Sequence, residues 1–429
     1  HLMAEDSLSY QVTWTGESMR SYPHFDIPGI DLLCDEDHLA TAKQTVSVAR
    51  QQGTTAVLSE LYGVTGWHFD FTGHKRQGDW QAALGITVRV PHLSWMTMEG
   101  EAKRDYPAAI DWHSPWWQEY RLVEDHFSRL NVALTRGRPL VRLAVLHPVE
   151  SAWQHFGPRD GSGAALAGMD THLQELTAAL TNGLVDFDFV AESLVPQQVV
   201  QRSDALLGIG KMAYDAVLLP AMASIRASSL AALRDFAARG GRIIVLGKAP
   251  RHVEGRLDGQ ATAWLSSLPS LAGQDFGGLL AALEDLREVR AIRSDGSPAC
   301  RLLTQLRADG DARWFFVCDT ERKGTGQGLI HLAARGHWAV ERWDTLAGGS
   351  SPVPATWRDG WTEWLWEAHA ASHELVRLSP AINDTRSQAA QPLSADTAAD
   401  RRAQTAPWAA NLTGPCRFRL DEPNVLVLD

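Results

Sequence analysis

The chain has 429 residues, of which 45% are hydrophobic and 21% charged, a composition typical of a soluble globular protein with a packed core. At roughly 150 residues per domain, this length predicts about three domains. The formal net charge is -11 and no stretch concentrates Lys and Arg, so nucleic acid and anionic membrane surfaces are excluded as expected partners.

The sequence shows no sign of membrane insertion or export. No apolar run reaches the roughly eighteen residues of a membrane span, and residues 1–5 lack the basic and apolar segments of a signal peptide. The spacing of the cysteines indicates neither a zinc site nor a dense disulfide framework. We therefore expect a cytoplasmic protein in a reducing compartment, without a metal site. The cysteines are Cys34, Cys300, Cys318 and Cys416.

The first third of the chain alternates short apolar strands with amphipathic helices. Strands are predicted at 30–33, 54–58 and 86–90, and helices at 37–52 and 78–84. This order is typical of a parallel sheet with helical crossovers. A complete (β/α)8 barrel needs roughly 200 residues or more, and only about 137 precede Arg138. Residues 1–137 are therefore predicted to form a partial TIM-type barrel of catalytic type.

Two further domains are predicted beyond Gly137. Strands at 141–146, 186–190, 216–220 and 242–246 alternate with helices at 170–182 and 228–239. This pattern predicts a flavodoxin-like, doubly wound α/β domain over 138–281. After it the helical pattern weakens, and a β-rich, sandwich-like domain is predicted over 282–429. Its strand-like runs are 312–317, 337–342, 361–366 and 425–428.

Glu60 is the first candidate catalytic residue, because it falls directly after a predicted parallel strand. In barrels, catalytic groups collect at this end of the strands. A carboxylate there acts on a glycoside as nucleophile or as general base, depending on the distance to its partner acid. Trp67 follows on a Gly-containing loop and offers a flat face to a sugar ring. The alternative for this segment is a helix N-cap followed by a turn.

The second carboxylate has several candidates. Glu5, Asp26 and Asp31 precede Glu60, and Glu99 follows it. Glu5 is favoured as the second catalytic residue because the residues before it resemble the end of a strand, although chain termini are usually frayed. Asp31 is a candidate acid and a predicted substrate contact.

Four further side chains are predicted substrate contacts: Lys75, His92, Trp95 and Arg104. A neutral imidazole at His92, after the third predicted strand, would hydrogen-bond a sugar hydroxyl. The alternative is a core histidine bonded to backbone. Lys75 is expected on the long loop after Glu60, and Arg104 on a polar loop whose alternative role is an ordinary ion-paired surface.

Seventeen Trp residues are present, and several of them gather between residues 67 and 117. Their flat faces suit sugar rings and they also fill cores, so both interpretations stay open for this cluster. In the second predicted domain, the first strand is followed by residues 147–151 (HPVES) and not by GxGxxG, which disfavours nucleotide binding. No Cys or Ser occupies a tight turn after its later strands, so a structural role is predicted.

Several motifs together resemble large glycoside hydrolases similar to the family 106 α-L-rhamnosidases. Family 42 β-galactosidases share a similar plan, in which a flavodoxin-like domain follows the barrel. The resemblance covers about residues 1–250 and is more specific for glycoside hydrolases than for any sugar. It is carried by 28–31 (PGID), 59–63 (SELYG), 66–67 (GW), Lys75, 79–80 (DW), 90–92 (VPH), 103–107 (KRDYP), 116–117 (WW) and 145–151 (VLHPVES).

The resemblance implies a rhamnosidase-like or galactosidase-like enzyme that cleaves a terminal sugar by carboxylate acid/base chemistry. Glu60 would match a catalytic carboxylate at a strand end, and Glu5 the acid on an earlier strand. Such rhamnosidases also use calcium near the substrate, but no ligand set stands out here, and no cofactor is otherwise predicted.

The resemblance implies one departure from the family, because the chain is expected to start within the barrel. Open strand edges normally lead to association, so we expect a homo-oligomer in which two chains cover each other's edges. The competing hypothesis is a catalytically inactive fragment that still binds carbohydrate.

Overall fold

A computed structural model of the chain describes residues 2–3, 7–104, 106–157 and 159–381. Its first part contains a parallel sheet of four strands in the order β1-β2-β3-β4. The strands are β1 (Leu2–Met3), β2 (Gly29–Leu32), β3 (Leu58–Leu61) and β4 (Val88–Pro91); the helices are α1 (Leu8–Trp14), α2 (Leu39–Gln52), α3 (Phe71–Leu84) and α4 (Arg121–Leu134); and a short strand, β5 (Arg138–Pro139), follows.

The boundaries in this part differ from those expected. The strand predicted at 54–58 runs over Leu58–Leu61, so Glu60 lies within β3 and does not follow it. Helix α3 begins at Phe71, well before the expected residue 78, because the Asp70 carboxylate caps it by accepting the Gly73 N–H at 2.8 Å. Among the described residues, no helix is long and apolar enough to cross a membrane.

The second part has a five-stranded parallel sheet with helices on both faces. Its order is β16-β13-β11-β6-β7, so the chain reverses its winding direction between β6 and β11. Alternate residues of β6 pack into different cores, Val145 with Leu176 and Leu146 with Phe236. The elements are β6 (Leu143–Leu146), α5 (Val149–His155), α6 (Arg159–Asn182), β7 (Phe187–Val190), α7 (Val195–Gln198), β8 (Val199–Val200), β9 (Leu207–Ile209), β10 (Met212–Tyr214), β11 (Ala216–Leu219), β12 (Ser224–Ile225), α8 (Ala227–Ala238), β13 (Arg242–Leu246), β14 (His252–Val253), β15 (Arg256–Leu257), α9 (Gly259–Ser266), β16 (Ser270–Leu271) and α10 (Phe276–Ala282).

The third part consists of two antiparallel sheets, ordered β17-β20-β24-β23 and β22-β21-β25-β19-β18-β5. Phe315 and Trp364 meet edge to face in the core between them. The strand predicted at 425–428 lies outside the described residues. The elements are β17 (Val289–Arg293), β18 (Leu302–Asp309), β19 (Ala312–Asp319), β20 (Gly328–Arg335), β21 (Trp338–Trp343), β22 (Ser350–Val353), β23 (Ala355–Arg358), β24 (Trp361–Ala368) and β25 (His373–Pro380).

Packing crosses the expected domain boundaries. Phe316 of β19 is buried in the same core as Trp80 of α3 and Phe127 of α4, which explains why both faces of β19 are apolar. Helix α2 lies between β2 and β7, and its fully buried Lys43 donates to Asp186 at 2.6 Å. The β-rich part therefore packs, through β18 and β19, directly against α3 and α4, the helices that follow β3 and β4.

Candidate functional site

The candidate site lies at the carboxyl ends of β2, β3 and β4. In the parallel register, Asp31 pairs with Glu60, and Glu60 pairs with Val90. Side chains alternate along a strand and neighbouring strands lie about 4.8 Å apart, so Asp31 and Glu60 project from the same face as neighbours. Ser59 and Leu61 are buried on the opposite face. The fold thus brings two of the predicted site carboxylates together.

The ionisation of both carboxyl groups is shifted by their surroundings. Burial raises the pKa of Glu60 and the Asp31 carboxylate raises it further, while His92 acts in the opposite direction. Burial also raises the pKa of Asp31, again opposed by His92. Both carboxyl groups therefore hold a proton more readily than an exposed carboxyl group does. Such a pair can present an acid and a base to the same substrate.

His92 lies beside this pair, at the end of β4. Its backbone N–H donates to Leu61 O at 2.8 Å, whereas its ring Nδ1 is buried without a hydrogen-bond partner among the described residues. A Cβ added to Gly63 would come within 2.8 Å of His92 Cγ and Nδ1, so only glycine lets the imidazole lie against this loop. A buried, unpartnered ring nitrogen marks a position that a water or a substrate hydroxyl would satisfy.

The loops after the three strands are tied to one another. The Cys34 N–H donates to Gly63 O at 2.7 Å, and the Gly66 N–H donates to Pro107 O at 3.4 Å. Between these contacts, Val64 has a φ of 61°, which is an outlier for a β-branched residue. Strain of this kind persists only where the surroundings enforce it, and it often occurs at functional sites.

Three predicted substrate contacts lie on these loops. Trp67 is 46% exposed. Trp95 is half-buried, and its backbone N–H donates to Asp111 Oδ2 at 2.7 Å. Arg104 is exposed at the end of the short 3-10 helix Glu101–Arg104. Their contact with a substrate stays a prediction.

Glu5, the predicted second catalytic residue, lies outside the described residues, and so does Asp105. The nearest described residue before Glu5 is Met3, which pairs with Asp31 in the β1–β2 register. The role of Glu5 stays a prediction.

Lys75 lies away from the carboxylate pair. It was expected on a loop but belongs to α3, where its Nζ forms an ion pair with the buried Asp79 one turn further on. The same Nζ donates to Ala371 O at 2.9 Å. The side chain of Lys75 is therefore used in the contact between α3 and the β-rich part.

Asp79 begins a chain of hydrogen bonds that no sequence motif indicates. Asp79 Oδ1 lies 2.7 Å from His126 Nε2, and His126 Nδ1 lies 2.7 Å from Thr345 Oγ1. Thr345 Oγ1 in turn lies 2.6 Å from His373 Nε2. Lys75, Asp79, His126, Thr345 and His373 are called the Asp79 relay below. Its members are far apart in the chain, so no local motif could have indicated it.

The Asp79 relay has a consistent arrangement of protons. Although burial raises the pKa of Asp79, Lys75 and His126 hold it well below the usual range, so Asp79 is ionised and accepts the His126 Nε2–H. His126 Nδ1 then accepts the Thr345 hydroxyl, whose oxygen accepts the His373 Nε2–H. Every bond has one donor and one acceptor.

Asp79, His126 and His373 also form the one group of potential metal ligands found among the described residues, with ligand atoms within 4.8 Å of one another. An ion there would have to displace Lys75 from Asp79 and Thr345 from between the imidazoles. Because these polar atoms already satisfy one another, we interpret the group as a hydrogen-bonded relay.

A cleft of about 1040 Å³ opens between the loops after β2 and β3 and the β19–β20 connection. Neither Asp31 nor Glu60 lines it, so it is separate from the carboxylate pair. Acidic and basic side chains balance along its walls, with Asp35, Asp37, Asp70 and Glu321 against Arg76, Arg301, Arg322 and Lys323.

Comparison with known proteins finds no matching family model and no match among curated proteins. Solved structures do match. A rhamnosidase from Novosphingobium sp. PP1Y has a TM-score of 0.65 at 18% identity, covering 87% of this chain and 36% of that chain. A catalytic mutant of a GH42 β-galactosidase from G. stearothermophilus has a TM-score of 0.55 at 12% identity, covering 84% and 60% respectively. A β-galactosidase from Bacillus circulans sp. alkalophilus has a TM-score of 0.56 at 12% identity, covering 85% and 62%.

These matches define the class of fold, an α/β fold with parallel sheets that glycosidases use. The resemblance inferred from the sequence is confirmed at this level: the chain is similar in fold to a rhamnosidase and to β-galactosidases, one of them from GH42. The chain spans about a third of the rhamnosidase, 36%, and about three fifths of the β-galactosidases, 60% and 62%.

Proposed function

We propose that this chain acts as a glycoside hydrolase that cleaves a terminal sugar. The observation that carries the proposal is the register pairing of Asp31 with Glu60 at the carboxyl edge of a parallel sheet, where barrels hold their catalytic groups. The raised pKa values of both carboxyls suit acid/base chemistry. The fold shared with solved glycosidases supports the same class of activity.

In the proposed mechanism, Glu60 is the nucleophile or the general base, and a carboxyl group on a neighbouring strand is the general acid. Asp31 is one candidate acid, because it pairs with Glu60 and its pKa is raised. Glu5 is the other candidate. The acid protonates the glycosidic oxygen as the bond breaks, while Glu60 attacks the sugar or activates a water. His92 would hydrogen-bond a ring hydroxyl.

Three of the remaining predicted contacts keep their proposed roles. Trp67 and Trp95 would contact the sugar ring, and Arg104 would contact a substrate hydroxyl from the loop after β4. Lys75 is a weaker candidate, because Asp79 and Ala371 already occupy its ammonium group.

The proposed architecture is a partial TIM-type barrel over 1–137, a flavodoxin-like domain over 138–281 and a β-sandwich-like domain over 282–429. In chain order, the five-stranded parallel sheet runs 2-1-3-4-5, which is the flavodoxin-like order. The two antiparallel sheets that enclose Phe315 and Trp364 support a sandwich. A cytoplasmic location stays a prediction.

We further propose that two copies cover each other's open barrel edges. β4 is the outer strand of the first sheet on one side, and its Val90 is 41% exposed. An exposed strand edge is a template for pairing with another chain. Light scattering at micromolar concentration should show a dimer, and a monomer would contradict this part of the proposal.

The activity is tested with a panel of nitrophenyl glycosides that includes the α-L-rhamnoside and the β-D-galactoside. We expect one of them to be hydrolysed and Glu60→Gln to lower kcat/KM by about 100-fold or more, since this change removes the charge and keeps the shape. Glu367→Gln is the matched control, because its 55% exposed carboxylate lies on β24. Full activity in Glu60→Gln would overturn the assignment.

A second candidate function is sugar binding without turnover. It is favoured by one observation, that the indole of Trp67 is 46% exposed on the loop after β3, where it could contact a sugar without any catalytic group. Sugar affinity in the unaltered chain, with no hydrolysis of any glycoside in the panel, would establish this alternative.

A further inference from the structure

Trp112 has an unusual combination of exposure and fixed geometry. Its side chain is 57% exposed, yet its ring stacks on His113 with centroids 3.6 Å apart and planes tilted by 31°. The His113 side chain beneath it is only 8% exposed. An exposed Trp normally samples several rotamers, whereas this ring rests on a buried imidazole. Trp112 therefore presents one flat face to solvent in a defined orientation.

Asp111 holds this arrangement in place. Its Oδ1 accepts hydrogen bonds from His113 Nδ1 at 2.6 Å and from the His113 backbone N–H at 3.0 Å. Its Oδ2 accepts the Trp95 backbone N–H at 2.7 Å. These hydrogen bonds lower the pKa of Asp111 despite the opposing effect of burial, so the carboxylate is ionised at neutral pH. One side chain thus connects the Trp112–His113 stack to Trp95.

The stack belongs to the same edge of the sheet as the carboxylate pair. The Ile110 N–H donates to Leu93 O at 3.1 Å, and Leu93 directly follows His92. Tyr106 of the same loop is 49% exposed and its ring centroid lies 6.1 Å from that of His92. Trp112 therefore lies on the loop after β4, two residues beyond a backbone hydrogen bond to the residue that follows His92.

The neighbouring Trp116, in contrast to Trp112, has a structural role. It packs edge to face against Phe71 at 5.5 Å and lies 5.7 Å from Tyr120, within the core around α3 and α4. Trp112 is absent from the described cores and is more exposed than Trp67. Core packing therefore explains the position of Trp116. It does not explain why Asp111 and His113 hold Trp112 at the surface.

We propose that Trp112 is a stacking platform for a pyranose ring of the substrate, and that Asp111 is the positioning residue that fixes it through His113. The proposal rests on the proposed function and adds a binding subsite to it. The apolar face of a pyranose covers an indole ring, and an immobilised ring loses little entropy when the sugar binds. The occupant is therefore a carbohydrate.

Binding is tested with sugars that the protein cannot hydrolyse, the nitrophenyl 1-thio-α-L-rhamnoside and 1-thio-β-D-galactoside. We expect Trp112→Ala to weaken the Kd of the bound sugar by roughly tenfold and Trp112→Tyr to recover most of the affinity. Trp357→Ala is the matched control, because Trp357 is also 57% exposed but lies on β23. It should leave the Kd unchanged.

The positioning role of Asp111 is tested with a signal from Trp112 itself, which a purely structural role of Asp111 would not change. In protein labelled with 5-fluorotryptophan, the resonance lost in Trp112→Tyr belongs to Trp112, and it should shift on sugar addition. In Asp111→Asn, an amide N–H₂ replaces one of the two carboxylate oxygens. At least one of the three N–H groups that now donate to Asp111 then loses its acceptor. The Trp112 resonance should then broaden and the Kd should rise, but by less than in Trp112→Ala.

Three results would overturn the proposal that Trp112 is a stacking platform. They are an unchanged Kd in Trp112→Ala, no binding of either thioglycoside by the unaltered chain, and a Trp112 resonance that does not respond to sugar because self-association covers the ring. The hydrolase proposal fails separately. If Glu60→Gln stays active while Trp112→Ala binds weakly, the catalytic assignment is wrong and the platform stands. If Glu60→Gln is inactive and Trp112→Ala binds normally, the reverse holds.

Discussion

Asp79 Oδ1 lies 2.7 Å from His126 Nε2, and this contact joins α3 to α4 in a region where both side chains are almost fully buried. Through Thr345 and His373 the same chain of hydrogen bonds reaches β25. Helix α3 leads from β3 to β4, the strands that carry Glu60 and precede His92. The Asp79 relay therefore connects α3, the helix between β3 and β4, to the β-rich part.

Removing the buried carboxylate of this relay should be strongly destabilising. Asp79→Ala leaves the Lys75 ammonium without its partner, and breaking a buried ion pair in this way costs about 3–5 kcal/mol. The free energy of unfolding from urea titration measures the loss. Asp125→Ala is the control, because its carboxylate is 55% exposed and 3.7 Å from Arg129, so its loss should stay below about 1 kcal/mol. Equal losses in the two variants would contradict a special role for the relay.

The imidazoles of the relay should make stability depend on pH. Burial lowers the pKa of His126 and His373 from the ordinary value of 6.5. Below pH 6.5 the unfolded chain therefore binds protons that the folded chain does not, and the free energy of unfolding falls as pH falls. Glu192, whose pKa burial and Glu150 raise to about 8, acts in the opposite direction over this range.

A double variant separates the effect of the two imidazoles from that of Glu192. The double variant His126→Gln, His373→Gln keeps Glu192, so it should lose less stability between pH 7 and pH 5 than the unaltered chain, even if it is less stable at pH 7. Urea titrations at both pH values measure this difference. Identical slopes would show that these imidazoles do not titrate on unfolding.

The pH profile of hydrolysis should report the Asp31–Glu60 pair. The Asp31 charge raises the pKa of Glu60, so Asp31→Asn should move the acidic limb of kcat/KM to lower pH. His92 acts in the opposite direction, so His92→Gln should move the same limb to higher pH. If Asp31 is itself the acid, Asp31→Asn removes most activity, and only the His92→Gln profile is informative. If His92→Gln leaves the acidic limb of the profile unshifted, the ionisation of Glu60 does not determine that limb.

The contact between Gly63 and His92 predicts the effect of adding one methyl group. A Cβ at residue 63 would meet Leu33 Cδ2 at 2.7 Å and His92 Nδ1 at 2.8 Å. Gly63→Ala should therefore displace the imidazole and lower kcat/KM by about tenfold. Gly277→Ala is the control, because nothing lies within 4 Å of its added Cβ, and it should leave activity unchanged. A fully active Gly63→Ala would show that the position of His92 does not matter.

Much of the fold could be predicted from local sequence. The apolar strand of residues 242–246 was expected where β13 lies, because its β-branched run is bounded by a Gly-Gly turn. The start of α3 was predicted wrongly because the Asp70 cap, and not the apolar pattern, decides it. The class of fold was also predictable, because βα order depends on hydrophobic periodicity within short segments.

The site was only partly predictable. Glu60 and His92 were expected at the ends of parallel strands and Asp31 as a candidate acid, but only the register showed that Asp31 and Glu60 are neighbours. Lys75 was expected at the substrate, but its partner Asp79 lies one helical turn away, and a helix start placed at residue 78 hid that spacing.

The sequence by itself determined the alternation of strands and helices and the presence of carboxylates at strand ends, since both depend on neighbours a few residues apart. Tertiary structure alone decided that Asp79, His126, Thr345 and His373 form one relay, and that Trp112 stays exposed while Trp116 packs, partly buried, against a core. Asp79 and His126 are 47 residues apart, and His126 and Thr345 are 219 apart. Contacts over such separations arise from the packing of whole layers against each other, which no local pattern of residues encodes.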